Sequence, residues 1–322
     1  MAEIVLTAVD AALERKLGVF RGYRYLDDYE AAFGTRSAAE EAQVLIEAML
    51  SDFELVINPF KTHIVELPRP LSDPWTHTIG TFPIRSSTPA RQQTDIIGLF
   101  SHAADVARHN AGALKYALLK CRDIELRPDI WRSFENAVWT AVSAEPTSMS
   151  AALDLLLEKS KEIGKPVTKA AAADVIDGLL ARHAPLRNAS EVAWALWAAI
   201  ELRVPIDSVR GAAVESMEDD FVALLTLHAV HRRVLAKSAV DTSEWESLID
   251  YDDVLLGPHW LLAYESALKG WLNAGVSRVA RDPFFKLLHG ANVSFYKTSP
   301  PRRFFTGSAG PLPGAPLPDE YQ

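Results

Sequence analysis

One cysteine, Cys121, stands in 322 residues. An internal disulfide and a cysteine zinc cluster are thereby excluded, and a single thiol suits a reducing cytoplasm. No run of apolar residues is long enough to span a bilayer. The opening MAEIVLTAVDAALERKL has acidic residues and no basic stretch ahead of its apolar positions, so it reads as a helix rather than a signal peptide. Gly-rich phosphate loops and Ser or Cys nucleophile motifs are missing, which leaves the kinase, dehydrogenase and serine hydrolase classes without support. Positive charge is in the minority: 33 Lys and Arg face 42 Asp and Glu, a net charge of -9. A uniformly basic surface is excluded, so a nucleic acid would have to meet local Lys/Arg clusters.

What is present is an ordinary globular composition, 48% hydrophobic and 23% charged, with length for two domains. Residues 2–17 space Leu6, Val9, Leu13 and Leu17 as one helical stripe. Residues 19–33 read as strand, tight turn, strand. Ser37-Ala-Ala-Glu40 has the capping-box spacing and predicts a helix to about Asp52, its core face Val44, Leu45, Ala48 and Met49. Short strands are expected over 54–57 and 63–67, joined by the Asn58-Pro59 turn and ended by Pro68, Pro70 and Pro74. A further extended piece is expected over 76–84.

From Gln92 helical periodicity takes over, with segments at 95–110, 111–123, 130–143, 150–164, 168–184, 189–202, 206–216, 219–234 and 258–272. The fold class is therefore a small α+β N-terminal part followed by a predominantly α-helical, solenoid-like region, although no fixed sequence period marks a repeat family. The Pro- and Gly-rich residues 299–322 are expected to be disordered. Trp194, Trp197, Trp260 and Trp271 sit at helical spacing, which predicts packing between helices rather than base stacking. His102, His109, His228 and His231 raise a metal reading; the last two are three apart on a helix, but no partner stands at a diagnostic spacing.

The stretch 22-GYRYLDDYEAAF-33 places Asp27 and Asp28 side by side among aromatic and aliphatic residues. Desolvation and mutual repulsion oppose such a pair. Either it lies in a solvated turn or it faces a cation. Three features bear on the choice: Arg24-Tyr25-Leu26-Asp27-Asp28, the capped helix of residues 37–52, and Leu55-Val-Ile-Asn58-Pro59-Phe60-Lys61-Thr62-His63-Ile64. In order and spacing they resemble the Tyr-x-Asp-Asp hairpin, following helix and Asn-x-x-Lys-Thr segment of bacterial reverse transcriptases. Ala2-Glu3-Ile4 also resembles the start of a helix that follows the family's template-side motif.

The resemblance implies half of a polymerase palm over 1–90, thumb-like helices over 91–128, where Lys115 and Lys120 stand, and a helical array over 129–298. It implies an RNA-directed DNA polymerase of the abortive-infection, antiphage-defence type, with Asp27 and Asp28 as Mg²⁺ ligands and Lys61 near the nucleotide phosphates. Arg24, Tyr25, Asn58 and Thr62 would lie in the nucleotide or nucleic-acid vicinity, Asn58 and Thr62 shaping the turn that positions Lys61. The implied partners are an RNA template, a DNA primer or product and dNTPs.

The chemistry suits the residues. Two Mg²⁺ ions roughly 3.5–4 Å apart neutralise the charge of phosphoryl transfer, and Mg²⁺ takes only one or two protein carboxylates beside waters and phosphates. The resemblance also implies a third carboxylate on an earlier strand, further upstream than the residues ahead of the hairpin allow. Asp10 is the only earlier aspartate, and it falls in a helical stripe. The chain is thus expected to be catalytically incomplete as written, its hairpin showing an unpaired edge and an exposed apolar face, with an N-terminal palm and fingers polypeptide as partner. The alternative reading is a non-catalytic helical scaffold that keeps a vestigial half-palm.

Overall fold

The computed structural model describes residues 2–17, 21–68 and 73–299, so the disorder expected over 299–322 lies, but for its first residue, outside the described residues. It divides into two units, Met1–Leu71 and Ser72–Gln322. Residues 72–90, read from the sequence with the first part, therefore group with the helical remainder.

The first unit holds helix α1 (Ala2–Leu17), strands β1 (Arg21–Tyr25) and β2 (Asp28–Ala32), and helix α2 (Arg36–Ser51). The expected stripe on α1 is buried at Val9 and Leu13. β1 and β2 pair antiparallel in the register Tyr25↔Asp28, Arg24↔Tyr29 and Tyr23↔Glu30, leaving Leu26 and Asp27 as a two-residue turn. The predicted hairpin is thus present, shorter than 19–33, with residues 18–20 outside the described ones. Helix α2 starts one residue before the predicted Ser37: Thr35 caps it, its Oγ1 accepting the Ala38 N–H at 3.2 Å. Glu40, the expected capping-box partner, instead meets Arg36 at 2.8 Å one turn back. Of the predicted core face, Met49 is buried and Leu45 packs beside it, but Val44 is 66% exposed and Ala48 also faces solvent; Ala42 and Leu50 are buried in their place.

The strands predicted at 54–57 and 63–67 are not strands: both segments are irregular, and Glu54 takes a left-handed φ of 58°. Val, Ile and Leu favour a pleated, half-buried surface only where a neighbouring strand supplies one, and among the described residues β1 and β2 pair with each other alone. The unit buries a small cluster, Val9, Leu13, Met49 and Leu50, with Leu45, Ile46, Tyr29 and Ile57 packed against it. Much else stays in solvent, Val56 and Phe60 almost fully.

The second unit is helical: α3 (Pro74–Gly80), α4 (Pro89–Ala107), α5 (Ala113–Lys120), α6 (Trp131–Ala144), α7 (Met149–Ile163), α8 (Lys169–His183), α9 (Ala189–Leu202), α10 (Ser208–Glu215), α11 (Asp220–His231), α12 (Ser243–Leu248), α13 (Trp260–Lys269), α14 (Ala274–Arg281) and α15 (Pro283–Gly290). All the segments predicted from Gln92 onward contain helices. The extended piece predicted over 76–84 does not form; Pro74 opens α3 at its first turn, where its missing N–H costs nothing, and Ile79 is buried.

Helices in this unit pack both on a sequence neighbour, as α8 on α9 and α4 on α5, and on the helix after it. α4 contacts α6, α6 contacts α8 and α8 contacts α10; α5, α7, α9, α11 and α13 contact one another in the same stepwise way. Polar groups tie successive steps. Gln92 donates to the Glu125 carbonyl at 2.7 Å and accepts the Arg127 N–H at 3.0 Å, and buried Glu135 receives the Thr168 hydroxyl at 2.7 Å. One core runs from Ile79 to Leu235, and a second gathers α11 to α15 around Trp245 and Tyr264. Gly275 is where α14 lies closest to α13: a Cβ there would sit 2.4 Å from the Ala263 carbonyl oxygen. The tryptophans pack as predicted, Trp260 edge-on to Phe295 at 5.3 Å and Trp271 stacked on His228 at 6.0 Å.

The second core is closed by a polar knot. Glu265 on α13 is wholly buried and accepts the Phe295 and Tyr296 N–H groups, the Ser294 hydroxyl at 3.0 Å and the Lys269 ammonium. Beside it the imidazole Nδ1 of buried His228 lies 2.9 Å from the Tyr296 hydroxyl. No described helix is long and apolar enough to cross a membrane.

Candidate functional site

The tip of the hairpin is one of six described places where a residue other than glycine takes a left-handed φ. Two-residue hairpin loops favour Gly, Asn or Asp at left-handed positions, yet the first loop residue is Leu26 at φ 57°. A leucine in that region costs roughly 1–2 kcal/mol, and such strain gathers at functional sites. Asp27 completes the loop and Asp28 opens β2 directly opposite Tyr25. Both carboxylates are exposed, and no described group pairs with either.

The two faces of the hairpin differ. Tyr23, Tyr25, Asp28 and Glu30 face solvent, with the Tyr23 hydroxyl donating to Glu30. The opposite face turns to α1. There the Arg24 guanidinium, its side chain 11% exposed, donates to Asp10 from Nε and from a terminal nitrogen at 3.0 and 2.9 Å. It also donates to Glu3 at 2.8 Å and to the Leu26 carbonyl. Every donor of the fork is used. Tyr29, opposite Arg24, donates its hydroxyl to Asp10 at 2.8 Å. Partial burial, reinforced by Asp10, pushes the Tyr29 phenol above its ordinary range, and the hydrogen bond from Arg24 holds the Glu3 carboxyl below its own.

The second element is the turn at 58–62. The Asn58 side chain accepts the Phe60 N–H at 3.0 Å, and its carbonyl accepts the Lys61 and Thr62 N–H groups at 3.1 Å and the Thr62 hydroxyl at 3.0 Å. Asn58 and Thr62 thus build the turn that presents Lys61, as the sequence suggests, and Lys61 is exposed. Ile57, just before this turn, and Tyr29, just after Asp28, pack on the same α1–α2 cluster. Both loops hang from one small core.

Among the described residues no three His, Cys, Asp or Glu side chains group closely enough to hold a metal ion unaided. Two exposed, unpaired carboxylates do fit the protein's share of a Mg²⁺ site, because that ion usually completes its shell with waters and phosphates. Of the residues singled out in the sequence, Asp27, Asp28 and Tyr25 meet at the hairpin, and Asn58, Lys61 and Thr62 share the second loop. Arg24 stands apart: its fork is committed to α1. What sequence reasoning missed is the part played by Asp10, Glu3 and Tyr29 behind the hairpin, contacts between residues 14 to 21 apart in sequence that no periodicity announces. Elsewhere, His102 sits 3.1 Å from the Thr78 hydroxyl, and the Cys121 thiol is buried and pushed up to about 12, an unreactive group. No protein-family model, curated protein or solved structure matches the chain.

Proposed function

We propose that the chain carries the metal-binding hairpin of an RNA-directed DNA polymerase of the bacterial defence type, its first unit contributing half of a palm. The observation that carries the reading is the unpaired Asp27–Asp28 pair on a strained two-residue turn braced from behind by Arg24. Asp27 and Asp28 hold Mg²⁺, which supplies the neutralising charge for nucleotidyl transfer to a DNA 3′ end. Lys61 faces the phosphates of the incoming dNTP as a point charge. The solvent-facing tyrosines and, among the described residues, the pairing of β1 with β2 alone support a larger sheet, completed by a polypeptide bearing the remaining carboxylate and the fingers. The stepwise helix contacts of the second unit support a solenoid-like array beside a thumb.

Purified from its native host with the polypeptides that accompany it, the protein extends a DNA primer on an RNA template with Mg²⁺. Asp27→Ala lowers the rate by about a thousandfold, since a lost metal ligand removes several kcal/mol of charge stabilisation. An Asp27→Ala preparation that extends the primer at the wild-type rate contradicts the reading. The second reading, a scaffold acting through protein contacts, draws on the same stepwise helix contacts; it gains if Asp27→Ala leaves the cellular phenotype intact.

A further inference from the structure

We infer that Asp10 of α1 is a positioning residue, which sets where Asp27 and Asp28 stand by gripping Arg24 and Tyr29 on the two strands that carry the turn. The inference rests on the reading above for its metal consequence, but its structural content is separate. Arg24 and Tyr29 are a directly paired couple one step below the Tyr25–Asp28 pair. One carboxylate therefore holds both strands of the hairpin at the register position next to the one that closes the loop: Oδ2 takes the Arg24 fork at 2.9 and 3.0 Å, and Oδ1 takes the Tyr29 hydroxyl at 2.8 Å.

The same guanidinium reaches past the pair to the carbonyl of Leu26, the residue at φ 57°. A chain of contacts thus runs from Asp10 through Arg24 to the strained turn, and a planar fork is the side chain able to serve all three carbonyl or carboxylate partners at once. An isolated two-stranded hairpin is marginal in water, so the register and tip geometry depend on what lies behind it. Here that is α1, whose own seat is the Val9 and Leu13 contact with α2. Glu3 adds a second contact from the exposed end of the helix, 69% in solvent, where screening leaves little energy. Asp10 is two-thirds shielded and engages two partners, which marks it as the dominant anchor.

The test is made on the full chain, with amide hydrogen exchange of Leu26, Asp27 and Asp28 and with Mn²⁺ affinity as separate readouts. Asp10→Asn speeds exchange at the hairpin tip and weakens Mn²⁺ binding by about tenfold, the usual effect of removing a group that orients a ligand, while helicity stays at the wild-type value. Asp10→Glu, which keeps the charge, restores part of both. Arg24→Lys behaves like Asp10→Asn because an ammonium cannot replace the fork, and Tyr29→Phe, which keeps the packing and loses one hydrogen bond, gives a smaller change of the same sign. Wild-type exchange at the tip in Asp10→Asn and Arg24→Lys overturns the inference. If the wild-type chain binds no Mn²⁺, the metal reading fails, and the exchange readout alone decides the positioning role.

Discussion

Replacing Glu265 with alanine destabilises the helical unit by about 3–5 kcal/mol, the cost of stripping one member from a buried ion pair. The carboxylate is wholly buried and the Lys269 side chain is only 13% exposed, so the ammonium left behind has little water to turn to. The Phe295 and Tyr296 N–H groups and the Ser294 hydroxyl lose their acceptor in the same step. Glu265→Gln keeps the volume and one acceptor oxygen and falls between the two. Urea unfolding followed by tryptophan fluorescence reads the difference, with Trp271 and Trp260 close to the knot. A loss below about 1 kcal/mol in the alanine variant contradicts the assignment, because that is the scale of a single solvent-exposed pair.

The second large effect is a pH dependence centred on His228. Burial, helped by the nearby positive charges of Arg232, His231 and Lys269, lowers its imidazole from the ordinary 6.5 to about 4. The folded state therefore prefers the neutral ring, and the unfolded chain takes up the proton first as pH falls. The resulting stability is fully present above about 6.5 and is lost progressively as pH drops toward 4. The gap amounts to about 3 kcal/mol. The ring has a reason to be neutral: it lies between Trp271 and Trp197 with Nδ1 against the Tyr296 hydroxyl. The carboxylate Asp95 acts in another window, since hydrogen bonds from Arg85 hold it at about 2 and its contribution fades only below the ordinary 3.8. Urea midpoints measured from pH 7 to pH 4 fall steeply for the wild type and flatten in His228→Gln. Parallel slopes for the two proteins assign the acid sensitivity to other groups.

The helical unit was legible because long amphipathic segments carry their own signal. Phe134, Val138, Leu153 and Leu196 are buried on the faces that the 3.6-residue spacing points inward. Helices α12, α14 and α15, six to eight residues each, are not among the predicted segments, whereas the equally short α5 and α10 are, each inside a longer periodic stretch. Residues 76–84 misled for another reason: Thr76, Thr78 and Thr81 favour extended backbone, but Pro74 starts a helix and Trp75 and Ile79, four residues apart, hold it to the core. In the first unit, the hairpin turn and the Asn58 turn could be read from residue chemistry alone, since each is local. The strands expected at 54–57 and 63–67 do not form, because a strand is completed by a neighbour, and the described residues offer them none. The Asp10 anchor is a tertiary contact between a helix and a hairpin, and only the folded chain brings its members together.

On the proposed reading Asp27 and Asp28 hold a divalent cation. Its most direct measurement is Mn²⁺ titration of the full chain by electron paramagnetic resonance, comparing the wild type with Asp27→Asn/Asp28→Asn. Mn²⁺ stands in for Mg²⁺ as another cation that carboxylate oxygens suit. On this reading the wild type has a saturable site that the double variant lacks, strengthened when a dNTP supplies its phosphates. Equal Mn²⁺ uptake by both proteins, with or without nucleotide, contradicts it.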